Sequence, residues 1–231
     1  LDSDYIVFPN RFMEEKMSGA FNLKELYRGT ILREGYPRNS IFFDQEHGRL
    51  LKEVLGYQGC QLSVYMPTFR GHTDDVEGDT YVEQVRSYLE VIDKGMQDDQ
   101  ILLLKLHPLV QKGLDLDNYR HIRPFPSELD TYDVLNACDV LITDYSSVMY
   151  DFANTGRKII LFAYDLEDYM GHRGMYEDIR SYPFPIAVTP EEVLSELQEP
   201  GGGADREFLD KYCTFDRQKA TRNICRHVLL G

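Results

Sequence analysis

The sequence contains no run of about 18 apolar residues, the length that a membrane-spanning helix requires. Its first residues, Leu1-Asp-Ser-Asp-Tyr5, do not form the basic segment and apolar core of a signal peptide. We therefore expect neither a membrane span nor a signal peptide. With 231 residues, 42% of them hydrophobic, the chain is long enough for one large or two small domains with packed cores.

Cysteine is scarce, and its spacing does not indicate a metal site. The four cysteines are spread along the chain without a CxxC pair. We expect buried or unreactive thiols in a reducing cytosol, and no zinc site. These four residues are Cys60, Cys138, Cys213 and Cys225.

Basic residues are outnumbered by acidic ones, 25 to 39, for a net charge of −14. Such a surface repels nucleic acid and anionic membranes at long range, so neither is expected as a general partner. A phosphorylated ligand would need a local basic pocket instead. The basic residues next to the strand ends described below are Arg70, Lys105, His107 and Arg173.

Polar residues follow four apolar, strand-like segments. In an open parallel sheet, ligands bind in the crevice at the carboxyl ends of the strands, so these polar residues are expected to line one pocket. The segments and the residues that follow them are Leu62–Met66 with Thr68 and Arg70, Ile101–Leu106 with His107, Val140–Thr143 with Asp144 to Ser147, and Lys158–Phe162 with Asp165.

The segment from Val140 to Asp151 carries the sharpest of these signals. A buried strand passes through a polar turn into a helix, whose first backbone N–H groups lack partners within the helix. Such an end attracts phosphate. Ser146 and Ser147 can donate hydroxyls to a bound anion, or they can simply cap the helix.

Strands alternate with helices from residue 62 onward, which predicts βαβ units and a mostly parallel sheet covered on both faces. The helices are expected at Glu83–Gly95, at Thr131–Cys138, after a Thr189 cap with Pro190 and Glu192, and after an Asp216 cap near the carboxyl end. A short strand is expected at Ile186–Val188. Residues 1 to about 40 are expected to form a separate short α/β unit that ends at Gly35-Tyr-Pro37.

Several motifs together resemble the CDP-glycerol glycerophosphotransferase family, the polymerases and primases of teichoic-acid synthesis. The family has the GT-B fold of two facing Rossmann-like domains. Two departures concern the loop near Arg173: Met175 replaces a common aromatic residue, and Tyr182-Pro-Phe-Pro185 replaces a Pro-Gly-Pro-like turn. The motifs that carry the resemblance are Glu34-Gly-Tyr-Pro-Arg-Asn39, Tyr65-Met-Pro-Thr-Phe-Arg70, Lys105-Leu-His-Pro-Leu109, Asp139 to Asp151, and Tyr164-Asp165 with Tyr169 and Arg173-Gly-Met-Tyr176.

The resemblance implies that the chain is the carboxyl-terminal, donor-binding half of such an enzyme. Residues 1–40 would be the terminal elements of an otherwise absent acceptor domain, and residues 41–231 the Rossmann-like CDP-donor-binding domain. In the family a histidine of the amino-terminal domain is the expected general base. The isolated chain is therefore expected to be inactive without that missing amino-terminal domain.

The implied reaction transfers glycerol phosphate from CDP-glycerol to a hydroxyl of a teichoic-acid-like or capsular polymer, with CMP leaving. The implied acceptor is a lipid-linked polyol phosphate or glycan, at the inner face of the cell membrane. Two alternatives stay open: a transferase that uses CDP-ribitol or another nucleotide-activated polyol or sugar, and a non-catalytic nucleotide-binding fragment. No cofactor or protein-bound metal is expected, although Mg²⁺ could accompany the pyrophosphate.

Each expected site residue has a functional and a structural interpretation. His107 emerges at a strand end, where it could protonate a phosphate oxygen as the catalytic residue or could serve the structure alone. Arg70 and Arg173 could bind the pyrophosphate or carry surface charge. The remaining donor-binding residues are Thr68, Ser146, Ser147 and Asp151. The Thr68 hydroxyl could contact phosphate. Asp151 could hold the loop, bind a hydroxyl of CDP-glycerol, or be a solvated helix carboxylate.

Overall fold

The computed structural model describes residues 3–68, 77–172 and 176–230, and its centre is a parallel sheet of six strands. Their spatial order is β5-β4-β3-β6-β7-β8. Every pair of neighbours is parallel; Val64, for example, lies opposite Leu103 on one side and Leu141 on the other. The strands are β3 (Gln61–Tyr65), β4 (Gln100–Leu104), β5 (Ile122–Pro124), β6 (Val140–Thr143), β7 (Lys158–Phe162) and β8 (Ile186–Ala187).

The amino-terminal residues form a second, two-stranded parallel sheet of β1 (Tyr5–Val7) and β2 (Thr30–Leu32). The helices α1 (Arg11–Ala20) and α2 (Leu23–Leu26) connect its strands. Phe8, Leu23 and Tyr27 form its own small apolar core. Then a 3-10 helix, Pro37–Phe43, leads to the larger sheet.

Helices precede, connect and follow the strands of the larger sheet. Before β3 lies α3 (Gln45–Val54), and the connecting helices are α4 (Glu77–Gly95), α5 (Pro108–Gln111), α6 (Thr131–Ala137), α7 (Val148–Phe152) and α8 (Leu166–His172), with short 3-10 helices at Ala153–Thr155 and Ile179–Ser181. After β8 come α9 (Pro190–Gln198), α10 (Arg206–Tyr212) and α11 (Ala220–Leu230).

The strands are buried on both faces because successive side chains alternate between two apolar clusters. Leu62 and Val64 of β3 pack with residues of α6, α7 and α10, whereas Tyr65 packs on the opposite face with residues of α4 and α9. Helices therefore cover both faces of the sheet. The predicted fold class, a Rossmann-like parallel α/β sheet with helices on both faces, is confirmed.

The direction in which successive strands are added to the sheet reverses between β3 and β6. From β3 it continues through β4 to β5 at one edge, and from β6 through β7 to β8 at the other. The loops after β3 and β6 consequently diverge to opposite faces and leave a crevice at the carboxyl ends of these two central strands. This topological switch point is where open α/β sheets bind ligands.

The predicted elements agree with the structure wherever the local pattern was strong. The strands Val140–Thr143 and Lys158–Phe162 have the predicted bounds, and Thr189 and Glu192 form a capping box before α9. Among the described residues, no helix has the length and apolar composition needed to cross a membrane.

One predicted cap is wrong. Asp216 does not cap the last helix, which begins at Ala220. Its carboxylate accepts hydrogen bonds from the Tyr36 amide and the Asn39 side chain instead, because the chain after α10 packs against residues 33–43. That packing links the two ends of the chain, and the expected domain boundary at residue 40 stays a prediction.

Candidate functional site

Asp144 joins the two loops that border the switch point. It follows β6 and is buried, and its carboxylate accepts hydrogen bonds from the Thr68 amide at 2.9 Å and the Thr68 hydroxyl at 2.8 Å. It also accepts from the Tyr145 amide at 2.6 Å. The loop after β3 is thus fixed to the turn after β6. Thr68 donates its hydroxyl proton to Asp144 in this arrangement.

The turn after β6 places Ser146 and Ser147 differently. The Ser146 amide lies 3.3 Å from Asp144, and its hydroxyl accepts a long, 3.5 Å hydrogen bond from the Val148 amide. Ser147 is exposed, precedes α7, and makes no side-chain hydrogen bond to a described residue. Ser146 therefore shapes the turn, whereas the Ser147 hydroxyl is available to a ligand.

Two tyrosines next to this turn stack on each other. The rings of Tyr145 and Tyr169 lie 3.7 Å apart with an interplanar angle of 17°. The Tyr145 hydroxyl donates a 2.9 Å hydrogen bond to Asp165, which lies three residues after β7 and was predicted to lie near the site. The polar ends of β6 and β7 are therefore connected, as the parallel order of the sheet requires.

A cavity of about 450 Å³ opens beside Ser147, between the amino-terminal segment and the turn after β6. Tyrosines dominate its walls, together with Phe12 and Met13 of α1. Its polar lining includes Arg38, Ser147, Asp151, Glu177 and Asp216. The volume lies within the range of small-molecule sites.

Asp151 is the centre of a buried polar network at the base of this cavity. Its carboxylate accepts hydrogen bonds from the Tyr132 hydroxyl at 2.8 Å, the Asn39 side chain at 2.9 Å and Arg38 Nε at 3.2 Å. Burial, together with the neighbouring Asp151 charge, raises the pKa of the Tyr132 hydroxyl, which therefore stays a donor. Asp151 is 4% exposed, so of the interpretations proposed above the solvated helix carboxylate is excluded.

A second carboxylate, Asp216, extends the network to the carboxyl-terminal segment. It accepts from Asn39 and Asn154 at 2.9 Å each, and from the Tyr36 amide at 3.0 Å. Burial raises its pKa above the ordinary aspartate value. The close approach depends on Gly35, whose φ is +76° and where a Cβ atom would lie only 2.6 Å from Asp216 Cα.

The other predicted site residues lie apart from this cavity or outside the described residues. His107 directly precedes α5, at the carboxyl end of β4; it is exposed and is not among the residues that line the cavity. Arg70 and Arg173 lie outside the described residues. The structure therefore brings Ser147 and Asp151 into one cavity and joins Thr68 to the turn before them.

Sequence reasoning missed Arg38 as a site residue. Its guanidinium, 44% exposed, pairs with Asp151 at 3.1 Å and lies 4.2 Å from the centre of the Tyr36 ring. The signal was present, because Arg38 belongs to the Glu34–Asn39 motif. However, 113 residues separate it from Asp151, and no local pattern indicates that pairing.

The described residues contain no group of three or more His, Cys, Asp or Glu side chains placed to hold a metal ion. The hydrogen-bond donors that line the cavity are mainly hydroxyl groups, together with one guanidinium group. They suit hydrogen bonding to an oxygen-rich ligand.

A parallel sheet with a polar crevice at its switch point defines the class of nucleotide-binding α/β domains. The comparison with protein families makes the assignment specific. Residues 1–230 match the family model described as CDP-Glycerol:Poly(glycerophosphate) glycerophosphotransferase, and the chain belongs to this family. The predicted family is confirmed.

Individual relatives agree. The chain is 28% identical, over 98% of its length, to a teichoic acid poly(glycerol phosphate) polymerase of Bacillus spizizenii, of which it covers 59%. It is 30% identical, over 73% of its length, to a teichoic acid poly(ribitol-phosphate) polymerase of the same organism, of which it covers 28%. The chain thus spans little more than half of the first of these relatives and less of the second.

Solved structures of the wall teichoic acid polymerase TagF have the same fold. One superimposes with a TM-score of 0.80 and 30% identity, over 97% of this chain and 57% of the other. Another, of a TagF variant soaked with CDPG, has a TM-score of 0.78 over the same shares of the two chains.

Proposed function

We propose that this chain binds CDP-glycerol and acts as the donor-binding half of an enzyme that transfers glycerol phosphate to a hydroxyl of a teichoic-acid-like or capsular polymer. The match of residues 1–230 to the glycerophosphotransferase family carries this proposal. The polar crevice at the switch point supports it, because this is the place where such sheets bind nucleotides.

In the proposed reaction the acceptor hydroxyl oxygen forms a bond to the phosphorus of the glycerol phosphate group. The bond from that phosphorus to the bridging oxygen breaks, and CMP leaves with the electron pair. The hydroxyl proton passes to a general base, which the resemblance assigns to a preceding domain. Since negative charge builds on CMP, catalysis consists mainly of positioning and electrostatic stabilisation.

We propose the following roles for the residues of this chain. His107 donates a proton or a hydrogen bond to the leaving phosphate, and the hydroxyls of Ser146 and Ser147 contact the pyrophosphate. Thr68 keeps its loop closed on Asp144, next to the turn that holds the pyrophosphate. Asp151 holds the turn from below. Arg70 and Arg173 supply positive charge to the pyrophosphate.

The donor could instead be CDP-ribitol or another nucleotide-activated polyol or sugar. The 30% identity to the poly(ribitol-phosphate) polymerase favours keeping this second candidate. A non-catalytic nucleotide-binding role is the third. Donor and product measurements separate them, because all three use the same crevice and differ only in the activated group or in turnover.

We propose that the full-length enzyme works in the cytoplasm, peripherally at the inner face of the cell membrane, on a lipid-linked polyol phosphate or glycan acceptor. The family membership supports this location. With a net charge of −14, this chain offers no general attraction to anionic lipids, so another part of the enzyme would provide membrane contact.

Calorimetry with CDP-glycerol, CDP-ribitol and CMP tests the proposal without requiring turnover. We expect CDP-glycerol to bind best, and His107→Ala and the Ser146→Ala/Ser147→Ala double variant to weaken binding about tenfold or more, since each removes contacts to a charged group. His47→Ala and Ser87→Ala are matched controls, because both residues are exposed on helices and are distant in sequence from the turn of Ser146 and Ser147.

Tighter binding of CDP-ribitol would shift the assignment to a ribitol-phosphate transferase. Unchanged affinity in both site variants, beside normal controls, would contradict the proposed donor site. Glycerol phosphate transfer by a longer form of the protein, lost on His107→Ala, would exclude a purely binding role.

A further inference from the structure

We propose that the tyrosine-lined cavity beside Ser147 is an acceptor subsite that takes a phosphodiester-linked polyol unit, with Arg38 as its principal phosphate contact. The inference rests on the proposed function and extends it to the second substrate. It depends on which hydrogen-bonding groups remain available toward the cavity.

Arg38 is the only cationic residue among the described residues that line this cavity. Its Nε and Nη2 atoms donate to Asp151, whereas Nη1 has no partner among the described residues. The Tyr36 ring, 4.2 Å away, supports the guanidinium from one side. Arg38 is therefore held in place, with one end of its fork left for a ligand.

The carboxylates around Arg38 are already occupied by donors of the protein. Asp151 accepts from Arg38, Asn39 and Tyr132, and Asp216 accepts from two asparagine side chains and the Tyr36 amide. At the opposite side, Glu177 accepts from Lys211 and the Tyr212 hydroxyl. These groups consequently offer few acceptors to a ligand.

The available groups all have a hydrogen to donate. They include Arg38 Nη1 and the hydroxyls of Ser147 and Tyr36; neither hydroxyl makes a hydrogen bond to another described residue. Donors require a ligand rich in acceptor oxygens, and phosphate is such a ligand.

The charge of the cavity selects among phosphates. Asp151 already balances the single guanidinium, and Glu177 is paired with Lys211, so the lining has no surplus positive charge to hold a pyrophosphate with several charges. A phosphodiester carries one negative charge and fits better. The aromatic walls, which include Phe12 and Tyr176, suit the carbon chain that joins one phosphate to the next.

The position of the cavity supports binding of the acceptor substrate rather than of the donor substrate CDP-glycerol. Ser147 belongs both to the cavity lining and to the turn that is proposed to hold the donor pyrophosphate. A polyol bound in the cavity would therefore present its hydroxyl next to the phosphorus that it attacks. This arrangement brings the two substrates together at one residue.

The test measures binding of a short synthetic glycerol phosphate oligomer and, separately, of CDP-glycerol, by calorimetry on the wild-type chain and on variants. We expect Arg38→Met to weaken oligomer binding tenfold or more while CDP-glycerol affinity changes less than twofold. Ser147→Ala should weaken both ligands, and Tyr36→Phe should weaken only the oligomer, several-fold. Arg49→Met, at an exposed arginine paired with Glu46, is the matched control.

Arg38→Met also uncovers the buried Asp151 charge, so its fold is checked by circular dichroism. Tyr36→Phe keeps the test decisive because it removes only a hydroxyl. Unchanged oligomer affinity in Tyr36→Phe and Ser147→Ala, while wild type binds CDP-glycerol and Ser147→Ala weakens that binding, would overturn the acceptor subsite and leave the proposed function intact. A loss of CDP-glycerol binding in Arg38→Met equal to that of the oligomer would assign the cavity to the donor and overturn the inference.

If the wild-type chain binds the oligomer through Arg38 but binds neither CDP-glycerol nor CMP, the acceptor subsite would be supported and CDP-glycerol would be excluded as the donor substrate. The two proposals can thus fail separately.

Discussion

The Thr68 hydroxyl donates a 2.8 Å hydrogen bond to the Asp144 carboxylate, and this contact joins the loops that follow the two central strands of the sheet. The residues lie 76 positions apart in the sequence. Because β3 and β6 are parallel neighbours, their carboxyl ends meet, and the contact fixes the geometry of the crevice.

Replacing Asp144 tests how much this contact stabilises the protein. Asp144→Asn puts an amide group, itself a donor, among the backbone donors of Thr68 and Tyr145. We expect unfolding in urea to show a loss of about 1–3 kcal/mol. CDP-glycerol affinity should fall as well. Thr68→Ser, which keeps the hydroxyl, should cost clearly less; equal losses for the two variants would mean that the carboxylate is not the important partner.

Asp151 should be the more costly of two aspartates to remove. Asp151→Ala leaves Arg38, Asn39 and Tyr132 without their shared acceptor, so we expect a loss of about 2–3 kcal/mol in the free energy of unfolding. Asp133→Ala, at a more exposed carboxylate that pairs with His47, should stay within about 0.5 kcal/mol of wild type. A small effect of Asp151→Ala in urea unfolding would show that the network contributes little.

Asp216 should make the protein less stable as the pH rises. Burial raises its pKa in the folded state, so the folded protein binds a proton more tightly than the unfolded chain there. Its contribution to stability is present below the ordinary aspartate pKa and is lost as the pH rises through the folded-state value. Asp216→Asn removes this titration.

The measurement is the difference in unfolding free energy between Asp216→Asn and wild type as a function of pH. That difference should change in favour of the variant as the pH rises through this window, since only wild type loses stability there by ionisation of residue 216. A difference that is constant with pH would exclude the raised pKa.

The capping box before α9 should have the stability of an ordinary helix cap. Glu192 donates its amide to the Thr189 hydroxyl at 3.2 Å and accepts from the Thr189 amide at 3.2 Å. We expect Thr189→Ala to lower the free energy of unfolding by about 1 kcal/mol, as measured in urea. Thr214→Ala, which removes only a bond to a carbonyl in α10, should have little effect, and an equal loss there would argue against a specific cap.

The cysteines should differ in their reactivity. Cys138 and Cys213 are buried, and burial raises the pKa of both thiols, whereas Cys225 is exposed. With a thiol reagent at pH 8, the folded chain should be labelled rapidly at Cys225 and only after unfolding at Cys138 and Cys213. Mass spectrometry of the labelled peptides distinguishes them, and rapid labelling of Cys138 in native protein would contradict the buried position.

Elements with a strong local signal were predicted well. β6 and β7 are continuous apolar runs, and α9 begins with a cap, a proline and a glutamate at the expected spacing. β5 was missed because it has three residues and ends in a proline, and the short helix α10 was missed as well. Asp216 was misassigned because a cap residue and a carboxylate that binds distant backbone look alike in sequence.

Within the candidate site, the polar residues after each strand could be recognised because the carboxyl ends of parallel strands share one edge. Their individual partners could not. Asp151 was equally consistent with a solvated and a buried carboxylate until its contacts with Tyr132 and Asn39 were known.

Local periodicity and the order of the motifs were sufficient to predict the alternation of strands and helices, the parallel α/β class and the family. The network that joins Arg38, Asp151 and Asp216 beneath a tyrosine-lined cavity became visible only in the folded chain. Burial and hydrogen bonding between residues more than 100 positions apart arise from packing, which no local pattern encodes.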